Sequence, residues 1–144
     1  MPININFYLL PYPSIEACGL YICRLTEKAY KKNHRIYIHT SSEHEAKTLN
    51  DSLWTFKDIS FIPHNIYEEN PTSPAPIQIG YSEEQPTEYK DILINLTPEI
   101  PNFYANFEHI LEIIPNNVTA KESSRKKYKF YQQQGCKLET HNIT

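Results

Sequence analysis

Glycine is nearly absent: the 144 residues hold only Gly19, Gly80 and Gly135. A dinucleotide-binding turn needs three closely spaced glycines, which let the backbone approach a pyrophosphate. Here the first apolar segment runs instead into Pro11-Tyr12-Pro13-Ser14, and no phosphate-cradling P-loop occurs anywhere. Cysteine is equally sparse. Cys18, Cys23 and Cys136 are an odd number and make no disulfide framework, so the chain reads as reduced and cytoplasmic. They are too few and too scattered for a four-cysteine zinc site. Met1-Pro2-Ile3-Asn4-Ile5-Asn6 shows no basic region leading into a long apolar run, so no secretory signal is expected. No apolar stretch nears the ~20 residues of a membrane span. None of the six histidines forms an H-E-x-x-H pair, and no serine stands in G-x-S-x-G form. His64, after Pro63, reads as a loop histidine that hydrogen-bonds the backbone or, less simply, serves as a general base. Cys18 and Cys23, five apart on a helix, share no face. The expectation is a protein without catalysis, metal or cofactor.

What is present suits one domain over residues 1–144. Hydrophobic residues make up 40% and aromatics 12%, enough for a chain of this size to bury roughly 70% of its unfolded surface. Ile3 to Leu10 reads as a strand. Ser14 can cap a helix running to about Lys32, with Ala17, Leu20, Leu25 and Ala29 at helical spacing. Gly19 inside it is expected to cost about 1 kcal/mol relative to alanine. Arg35 to His39 is a second strand. Ser42-Glu43-His44-Glu45 has capping-box form and opens a helix with Ala46, Leu49 and Leu53 on one face. Ser60 to Ile62 reads as a short strand. Asn70 to Thr87 is mostly loop, with a strand at Ile77 to Tyr81. Asp91 to Leu96 is apolar throughout its centre, as in a sheet covered on both faces. A short helix around Phe103 to Phe107 and a strand at Ile110 to Ile114 follow. Thr119-Ala120-Lys121-Glu122 reads as a second capping box, opening a helix to about Gln134. Gly135 stands where a C-terminal cap wants it, and Cys136 to His141 reads as a last strand. This alternation predicts an α/β sandwich with a largely parallel sheet and right-handed crossovers.

The net charge is −3, but its distribution is uneven. Acidic residues gather at Glu68, Glu69, Glu83, Glu84, Glu88 and Asp91. Lys121, Arg125, Lys126, Lys127 and Lys129 fall within nine positions, opposed only by Glu122. Lys121, Arg125 and Lys129 are four apart and stack along one helical face, with Tyr128 beside them. Lys126 and Lys127 widen the charge. Three readings stay open on this pattern: a solvated face, a phosphate-binding surface for nucleic acid, or a pocket for an acidic peptide gripped by arginine and an aromatic ring. A single basic patch on a net-acidic chain favours the peptide over duplex DNA.

The order of several strings resembles the chi subunit family of bacterial DNA polymerase III. They are Phe7-Tyr8-Leu9-Leu10, Ala29-Tyr30 through His34-Arg35-Ile36, Leu53-Trp54-Thr55-Phe56 followed by Ser60-Phe61-Ile62-Pro63-His64, Asp91 to Leu96, and Tyr128-Lys129-Phe130-Tyr131 with Gly135. The resemblance implies a Rossmann-like three-layer sandwich that lacks a nucleotide-binding glycine motif. It implies a heterodimer with the psi subunit, a link through psi to the clamp-loader complex, and capture of the acidic C-terminal tail of single-stranded DNA-binding protein. DNA would then be reached mainly indirectly. Carried onto this chain, the tail site would be Trp54, Phe61, Lys121, Arg125, Tyr128 and Lys129. Arg125 would hold the terminal carboxylate, while Trp54, Phe61 and Tyr128 would wall the pocket for the tail's terminal phenylalanine. The chain departs from the family at Lys126-Lys127, where an acidic residue is common. The alternative function is direct binding of single-stranded nucleic acid by the basic last helix.

Overall fold

The computed structural model describes residues 2–56, 63–69, 71, 75–82 and 91–144. Among these, seven strands form one sheet: β1 (Asn4–Leu9), β2 (Ile36–His39), β3 (His64–Ile66), β4 (Ile77–Gly80), β5 (Ile92–Asn95), β6 (His109–Ile114) and β7 (Lys137–Asn142). Their order is β3-β4-β2-β5-β6-β1-β7, and every pairing is parallel. The helices are α1 (Gly19–Lys31), α2 (Glu43–Thr55) and α3 (Val118–Gln133). None of the described helices is long and apolar enough to cross a membrane.

Strand periodicity explains the layers. Side chains alternate between faces, so Ile36, Ile38, Ile92, Ile94, Leu111 and Ile113 meet α1 and α2 on one face. Tyr37, Leu93 and Ile110 point the other way, toward Phe103, Phe107 and Tyr131 of α3. All four residues of β2, β4 and β5 are buried, as the apolar run at Ile92 to Ile94 led one to expect. The result is the three-layer α/β sandwich.

Several local expectations change in detail. Ser42 Oγ accepts from the Glu45 amide at 3.1 Å, and Glu45 returns a bond to the Ser41 amide rather than to Ser42. The first helix begins as a 3-10 turn, Glu16–Cys18, so Gly19 opens α1 instead of interrupting it. Leu20 is 55% exposed. Its expected place on the buried face is taken by Ile22 and Cys23. Cys18 and Cys23 are both buried in one cluster despite their spacing, because the 3-10 turn precedes the helix. Burial pushes both thiols up to about 11, so they stay protonated at neutral pH. The expected strand at Ser60 to Ile62 lies outside the described residues. His64 is no loop residue; it opens β3 and is buried. Phe103 to Phe107 holds a single 3-10 turn, Tyr104–Asn106. The last helix is capped by Asn117, whose Oδ1 accepts from the Ala120 amide at 2.8 Å, and not by Thr119. Gly135 closes it at φ 78°, a left-handed cap that glycine adopts at little cost.

One row of register partners crosses the α3 face of the sheet: Thr140, Phe7, Glu112, Asn95, His39 and Gly80. Glu112, at its centre, is 0% exposed and Lys127 is 4% exposed. Lys127 Nζ donates to Glu112 Oε1 at 2.8 Å and to the Thr97 carbonyl. Tyr131 donates its hydroxyl proton to Glu112 Oε2 at 2.7 Å, and Asn95 Nδ2 donates to both carboxylate oxygens. Burial, and then the neighbouring Glu112, raise the Tyr131 hydroxyl pKa above its ordinary value, so it remains a donor. Lys127 therefore does not widen the basic surface. It is spent inward, as the counter-charge of a buried carboxylate.

Lys127→Met should lower stability by about 3–5 kcal/mol by leaving Glu112 unpaired, seen as a lower urea midpoint. Lys127→Met with Glu112→Leu should recover most of it, and Lys126→Met should change little. At the end of the row, a Cβ on Gly80 would stand 1.8 Å from the Tyr37 hydroxyl oxygen, whereas one on Gly19 meets nothing within 4 Å. Gly80→Ala should then cost about 1–3 kcal/mol through overpacking, while Gly19→Ala should match or exceed the parent in a thermal melt.

Candidate functional site

The basic helix overlies a cleft of about 550 Å³. Its floor comes from the sheet: Phe7 and Leu9 of β1, Ile114 at the end of β6, and Thr140 and Asn142 of β7. Its roof is one flank of α3, where Lys121, Ser124, Arg125 and Tyr128 recur at helical spacing. The Tyr128 ring meets the buried Phe7 edge-on, with centroids 5.7 Å apart and planes at 85°. Tyr128 is still 40% exposed, so one side of its ring stays open to a ligand.

The electrostatics are one-sided. Among the described lining residues there is no carboxylate. Among the described residues, no acidic side chain forms an ion pair with Lys121, Arg125 or Lys129. A guanidinium above an apolar floor of aromatic and aliphatic side chains suits a ligand that ends in a carboxylate beside an apolar group. Asn142, Thr140 and Ser124 add hydrogen-bonding capacity to the walls.

The six residues expected to share the site do not all meet. Lys121, Arg125 and Tyr128 line the cleft together. Lys129 is exposed one turn beyond Arg125, on the outer surface of α3. Phe61 lies outside the described residues. Trp54 lies elsewhere. It stands near the end of α2, on the opposite face of the sheet, with its ring 4.1 Å from that of His64. His64 belongs to β3, one edge of the sheet, while the cleft is built against β1 and β7 at the other edge. Trp54 therefore does not wall the cleft. It is 50% exposed and forms part of a separate surface.

The sequence reading missed Phe7, Leu9, Ile114, Thr140 and Asn142. Phe7 and Leu9 share the face of β1 that α3 covers, which alternation along Asn4 to Leu9 signals. That β7 joins β1 is a matter of strand order, and nothing in the local pattern of Lys137 to Asn142 announces it.

Comparison with known proteins places this geometry in a lineage. Residues 3–139 match the family described as DNA polymerase III chi subunit, HolC. The DNA polymerase III subunit chi of Pseudomonas aeruginosa is 34% identical over 140 residues, covering 97% of this chain and 96% of that protein. The subunit chi of Haemophilus influenzae is 31% identical over 142 residues, with 96% of each chain covered. That of Escherichia coli is 28% identical over 141 residues, covering 95% and 96% respectively. Among solved structures, T4 UvsW is similar with a TM-score of 0.69 at 9% identity. The match spans 98% of this chain but only 41% of that one, and at that identity it speaks to the fold alone. With the family matched across nearly the whole sequence and the parallel α/β sandwich in place, the chain belongs to the chi subunit family of DNA polymerase III.

Proposed function

We propose that this protein is a non-catalytic adaptor of the replication machinery whose α3 cleft captures the acidic C-terminal tail of single-stranded DNA-binding protein. The observation that carries the reading is the cleft itself: Arg125 and Lys121, with no carboxylate among the described residues to neutralise them, above an apolar floor at Phe7. A terminal carboxylate pairs with Arg125, and the adjoining apolar side chain packs between Tyr128 and the floor. Lys121 and Lys129 draw in the acidic residues that precede it, an effect felt mainly in the association rate and weakened by salt.

The adaptor has a second side. In this reading the psi subunit, and through it the clamp-loader complex, is held away from the cleft. The exposed Trp54 at the β3 edge is the surface that recommends itself for psi, since a partner there leaves the cleft open. The rival reading, direct binding of single-stranded nucleic acid, loses one of its cations now that Lys127 is paired with Glu112. Fewer exposed cations mean fewer neutralised phosphates and a shallower salt dependence.

The test is a titration with a peptide of acidic residues, two prolines and a terminal phenylalanine. Loss of a charged hydrogen bond at Arg125→Ala should weaken binding about 10- to 100-fold, with Arg125→Lys intermediate because it lacks the fork. Trp54→Ala should leave the titration unchanged. Peptide binding indifferent to Arg125→Ala, together with tight, steeply salt-dependent binding of a single-stranded oligonucleotide, would favour the rival.

A further inference from the structure

The flank of α3 that faces away from the cleft borders a second groove, of about 540 Å³. Its walls are Pro98, Ile100 and Tyr104 on one side and Lys126 and Phe130 on the other. Tyr104 and Phe130 meet edge-on with centroids 5.5 Å apart, and both are half-buried. The groove is thus apolar and aromatic at its walls, with one exposed cation at its rim. Its only carboxylate among the described lining residues is the exposed Glu99.

The two depressions are joined by the helix between them. An α-helix turns about 100° per residue. Lys121, Ser124, Arg125 and Tyr128 therefore form one flank, and Ser123, Lys126, Lys127 and Phe130 the opposite one. Lys127 and the adjacent Tyr131 point into the sheet. The crest left facing solvent carries Arg125, Lys126 and Lys129, all exposed, with Glu122 as the acidic neighbour. A basic crest between two apolar hollows fits an extended chain that is acidic in its middle and apolar at two points.

We infer that the acidic peptide seated by its carboxyl end under Arg125 continues over the crest of α3 and places an upstream apolar side chain in the second groove, against the paired rings of Tyr104 and Phe130. This rests on the peptide-capture reading of the cleft. The spacing is set by geometry. Half the circumference of a helix with its side chains is roughly 17 Å, and an extended chain covers about 3.4 Å per residue. About five residues therefore separate the terminal side chain from the upstream one. The intervening acidic residues lie over Lys129 and Lys126. Glu99 at the groove's rim makes an apolar residue the fitting occupant there, since a carboxylate would be repelled.

Three peptides separate the two sites. The short one holds acidic residues, two prolines and a terminal phenylalanine. The two long ones extend it across the crest and differ only in leucine or serine at the upstream position, so their charge is the same. In the parent protein the leucine form should bind about tenfold tighter than the serine form, the worth of a partly buried apolar side chain, with one peptide per protein. Phe130→Ser should remove that difference and leave the short peptide unchanged. Tyr104→Ser, on the other wall, serves the same purpose if Phe130→Ser does not fold. Lys126→Glu should weaken all three peptides, because their acidic residues lie over the crest, and leave the ratio of the leucine to the serine form unchanged. Equal binding of the leucine and serine forms, a leucine advantage that survives the groove variants, or two peptides bound per protein would overturn the inference. Failure of the short peptide to bind would instead overturn the reading of the Arg125 cleft.

Discussion

A carboxylate taken out of water must be met by a cation and by hydrogen-bond donors, or it will not stay charged there. Glu112 sits in the middle of a parallel sheet, and the cation that meets it comes from a helix. That one pairing makes α3 a defined part of the sandwich instead of a charged helix resting on it. Lys127 and Tyr131 are four apart on α3 and grip the two oxygens of the same carboxylate, which fixes the rotation of the helix about its axis. With the rotation fixed, Lys121, Arg125 and Tyr128 are turned to one flank and Lys126 and Phe130 to the other. The cleft, the crest and the second groove all follow from which residue of a run of cations is turned inward.

The same pairing marks the limit of what the sequence discloses. Strands announced themselves through alternation and apolar runs, and the helices through caps at Ser42 and Gly135. Arg125 and Tyr128 were legible because four- and three-residue spacing maps directly onto one helical face. Lys127 was not, because a lysine beside a lysine reads as surface charge. Its partner lies in a different element, and the register that sets Glu112 opposite Asn95 and Phe7 is a property of the folded sheet. Trp54 was placed apart from the cleft for a similar reason. Its motif is a sequence neighbour of nothing in the cleft, and strand order alone carries α2 to the far edge. Phe7 and Thr140 share a register row, a relation between the two ends of the chain that no local window contains.

The sheet is of the kind that in other proteins holds nucleotides beyond the carboxyl ends of its strands. Here the first such turn is Pro11-Tyr12-Pro13-Ser14, with the Ser14 hydroxyl accepting from the Ala17 amide. With two prolines and no glycine, the turn does not offer the close backbone approach that a pyrophosphate needs. The cleft nonetheless uses the same end of the sheet, where Leu9, Leu10 and Ile114 line it. The architecture supplies a crevice, and the side chains decide whether it receives a phosphate or a carboxylate.

The pairing of β7 with β1 has a consequence for how the protein comes into being. β1 and β7 meet across all the residues between Leu9 and Lys137, so their pairing waits until that whole stretch has been made. Contacts so distant along the chain form slowly, because the entropy of closing the loop is lost before the contact returns anything. Most of the floor of the cleft is divided between these two strands. A chain made only as far as α3 lacks Thr140 and Asn142 of the cleft, so a displayed site reports that synthesis has passed β7.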